Sequence, residues 1–386
     1  MKTLRSLPTL CPPRDRTKNK PSAGRWGTVR RVLTELMTAL KAGRTLTAGE
    51  VSGITALLLS ETESAASKAD LLAAWAAKGE TADEIAVLAR ALRERAVAPT
   101  VDPDLRARGI LDIVGTGGDR LGTFNVSSCA AIVAAAAGVL VAKHGNRAVT
   151  SKAGSADVLD ALGIPIELDP IVAMRLLRER GFAFFYAPRY HPAFRQIAPA
   201  RRLCAERGQR TVFNFLGPLL NPVRPTAQLM GVPRPEWCEP LARVLRAMDI
   251  QRGLVVCGSA GGREPLYMDE ISSIGDTRMA VFDPAHDVHE VTLSPAAFPL
   301  QPATLADLQG GDRMANADTA RRVLRGDDRG PRRDLVLMNA GAALWVAARS
   351  PSLTEGWELA AATIDSGKAG QKLEELIGAG QDDAGG

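Results

Sequence analysis

From residue 110 onward the chain keeps one rhythm: a short β-branched or aromatic run, a glycine-rich corner, then a segment with helical periodicity. "ILDIV" leads into "GTGGDRLGTF" and the helix-like "NVSSCAAIVAAAAG". "VLVA" leads into "KHGNRAVTSKAG" and "SADVLDALG", and "FAFFY" and "LVVCG" read as later strands. Parallel neighbours need a crossover of a dozen or more residues, usually a helix, so this alternation predicts an α/β fold with a mostly parallel central sheet covered by helices. Ligands in such sheets bind beyond the C-terminal strand ends, which is where the glycine corners fall.

The upstream segment has a different texture. Apolar residues at 29, 32/33, 36/37 and 40 mark one helix face, with Gly43 as a C-cap. Thr47 with Glu50 and Thr81 with Glu84 form two T-x-x-E capping boxes, and "SKADLLAAWAAKG" between them is a further amphipathic helix. Residues 28–97 are therefore expected to form a small all-helical domain, which helices from about 191–222 can join. Residues 108–378 form the larger α/β domain, and 379–386 a frayed tail. In this chain of 386 residues, 46% hydrophobic composition is ample for a core. No apolar run reaches the ~18 to 20 residues of a membrane span, so a membrane role is not expected.

The formal charge of +5 is unevenly placed. Residues 1–31 carry nine Lys or Arg against Asp15 alone, which leaves the remainder mildly acidic. Residues 1–27, basic and proline-containing, read as a disordered extension, with an organelle-targeting segment or a nucleic-acid arm as alternatives. Cys11, Cys129, Cys204, Cys238 and Cys257 form no CxxC pair, which fits a reducing cytoplasm better than a disulfide framework or a zinc site.

The corner after "ILDIV" carries the chemistry. Gly115, Gly117 and Gly118 follow a strand and a helix opens near Asn125, so backbone N–H groups and a helix N-terminus can face an anion. The sequence contains no G-x-x-x-x-G-K-[ST], and Arg120 breaks the G-x-G-x-x-G spacing. Alone, "GTGGD" is also compatible with a plain tight turn. The next corner offers Lys143, Asn146, Thr150, Ser151 and Ser155 as donors to phosphate or ribose oxygens, and two such corners side by side suit a ligand with two phosphate centres. His144 alone reads more readily as structural. In "YMDEIS", adjacent Asp269 and Glu270 would suit Mg²⁺ alongside substrate phosphate oxygens, whereas on a helix they would be a solvated face.

Taken in order and at their intervals, "GTGGD" with "TFNVS", "KHGNR" with "SKAGSADVLDALG", "HPAF" with "APAR", "RTVFNFLGPLLNP" and "DEIS" resemble the anthranilate phosphoribosyltransferases of tryptophan biosynthesis. The resemblance runs from about residue 28 to 378. It implies a nucleoside phosphorylase/phosphoribosyltransferase-like fold and a cytoplasmic enzyme, commonly a homodimer through the helical domain. It also implies Mg²⁺ as cofactor, phosphoribosyl pyrophosphate (PRPP) and anthranilate as substrates, and no nucleic-acid partner. On that resemblance Gly115, Gly118, Asp119, Thr123, Asn125, Ser127, Ser128, Lys143, Asn146, Thr150, Ser151 and Ser155 would contact PRPP. Ser127, Asp269 and Glu270 would serve the metal, and Gly115, Asn146, His191 and Arg201 would bind anthranilate.

Two departures bear on the acceptor. About three extra residues lie between Arg201 and "RTVFN", which leaves Arg201, Arg202 and Arg207 as candidates for its carboxylate, and Arg120 stands where the family has glycine. Another aminobenzoate is an alternative acceptor. A pyrimidine nucleoside phosphorylase-like enzyme and a nucleic-acid-binding paralogue are more distant readings, opposed by "DEIS" and by the acidic body.

Overall fold

The computed structural model describes residues 23–148, 152–261 and 266–382. The basic stretch 1–22, Thr150, Ser151 and the last four residues lie outside them. The first helix, α1 (Ala23–Lys41), opens inside the segment that the sequence pattern left to the extension, and α2 (Ala48–Leu59), α3 (Ala65–Lys78) and α4 (Ala82–Arg93) follow. Both capping boxes form, the Thr47 and Thr81 hydroxyls each accepting the N–H three residues on while Glu50 and Glu84 accept the cap N–H in return. Each box satisfies two of the donors that a helix start leaves unpaired.

The apolar faces of these helices close around Leu36, Ile54, Leu58, Leu72, Trp75 and Leu88. The same core takes in Ile197, Cys204, Phe213 and Leu216 from the 191–222 stretch, whose helix Ala198–Glu206 packs on α3. A buried cation fastens the contact: Lys68 on α3 donates to the Ser60 carbonyl at 2.7 Å and to the Gln196 carbonyl at 2.9 Å. Inside the bundle Glu84 is 1% exposed, and its carboxylate accepts from Lys78 Nζ, Trp75 Nε1 and the Leu46 and Thr81 amides. Burial alone would push this carboxyl up, but those donors outweigh it and hold its pKa below the usual value.

The sheet contains β1 (Ile110–Gly115), β2 (Leu140–Gly145), β3 (Phe182–Tyr186), β4 (Ala227–Gly231), β5 (Arg252–Ser259), β6 (Tyr267–Met268), β7 (Thr277–Phe282) and β8 (His289–Leu293). Its order is β3-β2-β1-β4-β5-β7-β8, with β6 against β5. The first five strands in that order are parallel, and β6, β7 and β8 add antiparallel pairings at one side. The chain winds outward from β1 through β2 to β3, then returns to lay β4 on the other flank of β1. That reversal opens a crevice above the C-terminal end of β1. Three neighbouring strands, β1, β2 and β4, end in glycine there: Gly115, Gly145 and Gly231. Beneath the crevice the helix Val126–Ala136, apolar after Ser127 and Ser128, packs against the buried helix Pro331–Val346. Among the described residues no helix is long and apolar enough to cross a membrane.

Candidate active site

The corner after β1 is held open by hydrogen bonds at its edges. Thr116 N–H donates to the Gly231 carbonyl at 2.9 Å, and Gly117 N–H donates to Asp269 Oδ2 at 2.8 Å. Gly117 and Gly118 have φ of 70° and 87°, and an added Cβ at either would meet nothing within 4 Å. Left-handed backbone with open space above it turns amides toward whatever fills the crevice. Gly115 and Gly231 are glycines for the opposite reason. A Cβ on Gly115 would lie 2.2 Å from Asp269 Oδ2, and one on Gly231 would lie 1.5 Å from the Asp269 carbonyl oxygen. Only bare backbone lets the Asp269–Glu270 segment seat across these strand ends.

Three carboxyls gather at that seat. Burial, then the neighbouring Asp119, pushes Asp269 up to about 7 against the pull of the Gly117 amide. Glu270 is raised well above its ordinary value by burial, then by Asp269 and Asp119, with the Ser127 amide and Lys143 acting in the opposite sense. Asp119 is raised by burial as well. Glu270 Oε2 and Ser128 Oγ are buried without a hydrogen-bond partner among the described residues. These oxygens, acceptors crowded together with unused lone pairs, have the chemistry of a site for a hard cation. Among the described residues no three His, Cys, Asp or Glu groups form a complete cage by themselves.

Lys143 does not reach out of the crevice. It is 1% exposed, donates to the Ile113 carbonyl at 2.6 Å and lies 3.4 Å from Ser127 Oγ, and burial lowers its pKa to about 8. It underpins the loop from below. Fully buried Asp112 sits behind it, accepting from His144 N–H at 3.2 Å and Asn221 Nδ2 at 2.9 Å, and burial raises it to about 6.

The second corner lies beside the first. Ser155 opens the helix Ser155–Leu162, and its hydroxyl occupies the space that a Cβ on Gly145 would need. Asn146 is exposed, with its side-chain oxygen accepting from Arg147 N–H. Asn125 ties the corners together, donating to the Ala153 carbonyl at 3.3 Å and accepting from Asn316 at 3.0 Å. Thr123 forms a bridge with Gln309, whose amide donates to the Leu121 carbonyl.

Two of the candidate acceptor residues, His191 and Arg201, lie on a string of rings. His191 Nε2–H donates to the Leu220 carbonyl at 2.8 Å and the ring meets Phe194 at 5.6 Å; Phe194 meets Phe213 at 5.8 Å; the Arg201 guanidinium lies over Phe213 at 5.1 Å. Arg207 is paired with Asp70 at 2.8 Å, whereas Arg201 has no carboxylate partner among the described residues. His144, read from sequence as structural, packs edge-on to His191 at 5.5 Å. Burial depresses both imidazoles, His191 to about 4 and His144 to about 3, so both are neutral at pH 7.

Sequence reasoning missed Asn221, Gln309, Asn316 and Asn339. Asn339 clamps the carboxylate segment, accepting from Ile271 N–H at 3.0 Å and donating to its carbonyl at 2.9 Å. An isolated polar residue inside the apolar run "DLVLMNAGAALWV" was the signal available for Asn339. Nothing local marked Gln309 or Asn316.

This is the architecture of a glycosyltransferase. Residues 107–370 match the a/b domain of the glycosyl transferase family, and residues 34–96 match that family's helical bundle domain. The chain is 45% identical over 309 residues to the anthranilate phosphoribosyltransferase of Lacticaseibacillus casei, covering 80% of this chain and 86% of the relative. It is 41% identical over 352 residues to that of Chloroflexus aggregans, covering 91% and 99%. Among solved structures, the Thermus thermophilus anthranilate phosphoribosyltransferase superposes with a TM-score of 0.80 at 41% identity, covering 90% of this chain and 99% of that one. The Saccharomyces cerevisiae enzyme in complex with PRPP and Mg gives 0.80 at 27% identity, covering 92% and 98%. Within the glycosyltransferases, the chain belongs to the anthranilate phosphoribosyltransferase family.

Proposed function

We propose that this enzyme transfers the phosphoribosyl group of PRPP to the amine of anthranilate, giving N-(5-phosphoribosyl)anthranilate and pyrophosphate, as a step of tryptophan biosynthesis. The observation that carries this reading is the seat of Asp269 and Glu270 at two glycine-ended strands, β1 and β4, with Glu270 Oε2 unpaired beside an open loop of amides. Relatives solved with PRPP and Mg and with 4-fluoroanthranilate support it.

Bond breaking at C1 builds positive charge on the sugar and negative charge on the departing pyrophosphate. Donors that grip the anion more tightly as it leaves lower the barrier. The amide of Gly118, the hydroxyls of Thr123, Ser127 and Ser128, and the start of the helix at Val126 would supply them. Lys143 acts from beneath by holding Ser127 and the Ile113 carbonyl in place. Asp269, Glu270 and Ser127 are the groups that would hold Mg²⁺, which when bound neutralises charge on the diphosphate. Two carboxylates without a full protein cage suit an ion whose remaining ligands are substrate oxygens and water.

An aromatic amine is neutral at pH 7 and needs no strong base, in keeping with two imidazoles held neutral nearby. His191, Asn146 and Gly115 would line the acceptor slot, and Arg201, with no carboxylate partner of its own, would take the anthranilate carboxylate. Arg207 is occupied by Asp70, which favours Arg201 over it. We further read the enzyme as cytoplasmic and as a homodimer through the helical domain. Incubation with PRPP, Mg²⁺ and a panel of aromatic amines tests the assignment. Pyrophosphate release with loss of anthranilate fluorescence is expected, and release with a different aminobenzoate alone would reassign the acceptor.

A further inference from the structure

Neither the phosphate loop nor the carboxylate seat uses Arg120. Its φ is 61°, a left-handed conformation in which non-glycine residues are uncommon. Its side chain is exposed and makes no hydrogen bond or ion pair among the described residues. A long cation is therefore held out from a corner that glycine would turn more easily.

Two more arginines stand beside it. Gly115 pairs with Gly231, and Thr116 is hydrogen-bonded to Gly231, so the chain leaving β4 runs next to the loop and reaches Arg234 three residues later. The guanidiniums of Arg234 and Arg210 each lie 5.4 Å from the Trp237 ring, which Phe215 meets edge-on at 4.7 Å. Arg210 has no carboxylate partner among the described residues, and Arg234 has exposed Glu236 at 3.6 Å. Arg210 is close enough to the others to be affected by them: burial first, then the charges of Arg234 and Arg120, lowers its pKa. Mutually repelling cations are thus collected around an aromatic plate next to a cluster of carboxylates with which they form no ion pair.

We infer that Arg120 and Arg210, with Arg234 on Trp237, form a cationic rim that draws the diphosphate-bearing donor to the loop. Without such a rim, an approaching polyanion would meet the partial charges of Asp119, Asp269 and Glu270 first. Opposite charge around a cleft raises local substrate concentration and on-rate, and salt screens the effect. The inference rests on the reading of this crevice as a PRPP site. A rim serving instead the acceptor carboxylate or an acidic protein surface is distinguished by the same experiment.

The test measures kcat/KM for PRPP at saturating anthranilate and Mg²⁺ across ionic strength. It uses wild type, Arg120→Asn, Arg210→Gln, the double variant and Arg120→Lys. Asn is among the few residues that tolerate left-handed backbone, so Arg120→Asn removes charge without new strain. Arg325→Gln, at the far end of the helix Arg313–Arg325 and paired with Glu374, controls for net charge. The double variant should lose about tenfold in kcat/KM for PRPP at low ionic strength and converge on wild type at high salt. The loss should fall in KM, Arg120→Lys should largely restore it, and Arg325→Gln should keep the wild-type slope. An unchanged salt slope, a loss equal at every salt concentration, or a defect in the anthranilate KM alone would overturn the rim. Absence of PRPP-dependent turnover in wild type would instead overturn the donor assignment itself.

Discussion

Two buried carboxylate sites in this molecule differ in one respect, whether their oxygens find partners. In the helical bundle Glu84 meets an ammonium, an indole N–H and two amides, and its acidity is enhanced despite burial. At the strand ends Asp269 and Glu270 meet one another and Asp119, keep an orphaned oxygen, and are held reluctant to ionise. A folded chain tolerates the first arrangement because every lone pair is used. The second leaves a demand unmet at an open corner, where a bound cation would complete it. Burial of charge by itself therefore does not mark a site; at the strand ends the mark is unmet demand where glycines have cleared the backbone.

Removing Glu84 should break the contrast from the bundle side with the largest effect. Glu84→Ala leaves the Lys78 ammonium, whose side chain is 3% exposed, without its counterion, and a loss of about 3–5 kcal/mol in unfolding free energy is expected by denaturant titration. A pH series sharpens it. Because the folded pKa of Glu84 lies below its ordinary 4.5, its contribution is present above that value and is lost as pH falls through the folded pKa. The melting-temperature gap between wild type and Glu84→Gln should be widest near pH 7 and close progressively below pH 4.5.

The mirror experiment is Asp269→Asn with Glu270→Gln. Turnover should fall by about 10²-fold or more while the fold survives. In metal-free buffer at pH 8 the double variant should melt no lower than wild type, because it removes desolvated like charges whose mutual repulsion outweighs the amides that contact them. A loss of stability comparable to that of Glu84→Ala would erase the distinction between the two sites.

Arg201→Ala probes the border between the two regions, since Arg201 is carried by the bundle-packed helix Ala198–Glu206 and belongs to the acceptor half. It should raise the apparent KM for anthranilate by an amount worth about 1.5–3 kcal/mol, with the PRPP KM little changed. Arg202→Ala and Arg207→Ala serve as controls, and a defect in either with Arg201→Ala normal would move the acceptor contact. Smallest of all, a chain beginning at Ala23 should keep its activity, and its melting temperature should stay within about 1 °C of wild type, if residues 1–22 contribute no packed apolar surface.

What could be read from sequence was whatever a short window encodes. Both capping boxes, the helix at Val126, the glycine corners and the parallel rhythm rest on neighbours within a few residues. Direction was harder. The letters of "KHGNR" offered Lys143 as an outward donor, but where β2 faces depends on its partners, and the ammonium turns under the loop to Ile113. Partners far along the chain left no local trace: Asn316 meets Asn125 across 191 positions, and Asn339 clamps Ile271 across 68. The exposed edge strand "HEVTL" and the short β6 also escaped, being too polar or too brief for a periodic signal.

Asp269, pinched where Gly115 and Gly231 leave no room for a methyl group, has a mechanical consequence as well as a chemical one. The loop and the carboxylates cannot be adjusted separately, because sliding β1 past β4 would drag Asp269 along with the amide at Gly117. The donor half is in effect one stiff part. Arg201 and the aromatic string ride on the bundle, fastened through Lys68 and the Asp70–Arg207 pair, and the bundle's core runs on without a break into β4, β5 and β7. The acceptor half is thereby registered on the same sheet that fixes the donor half.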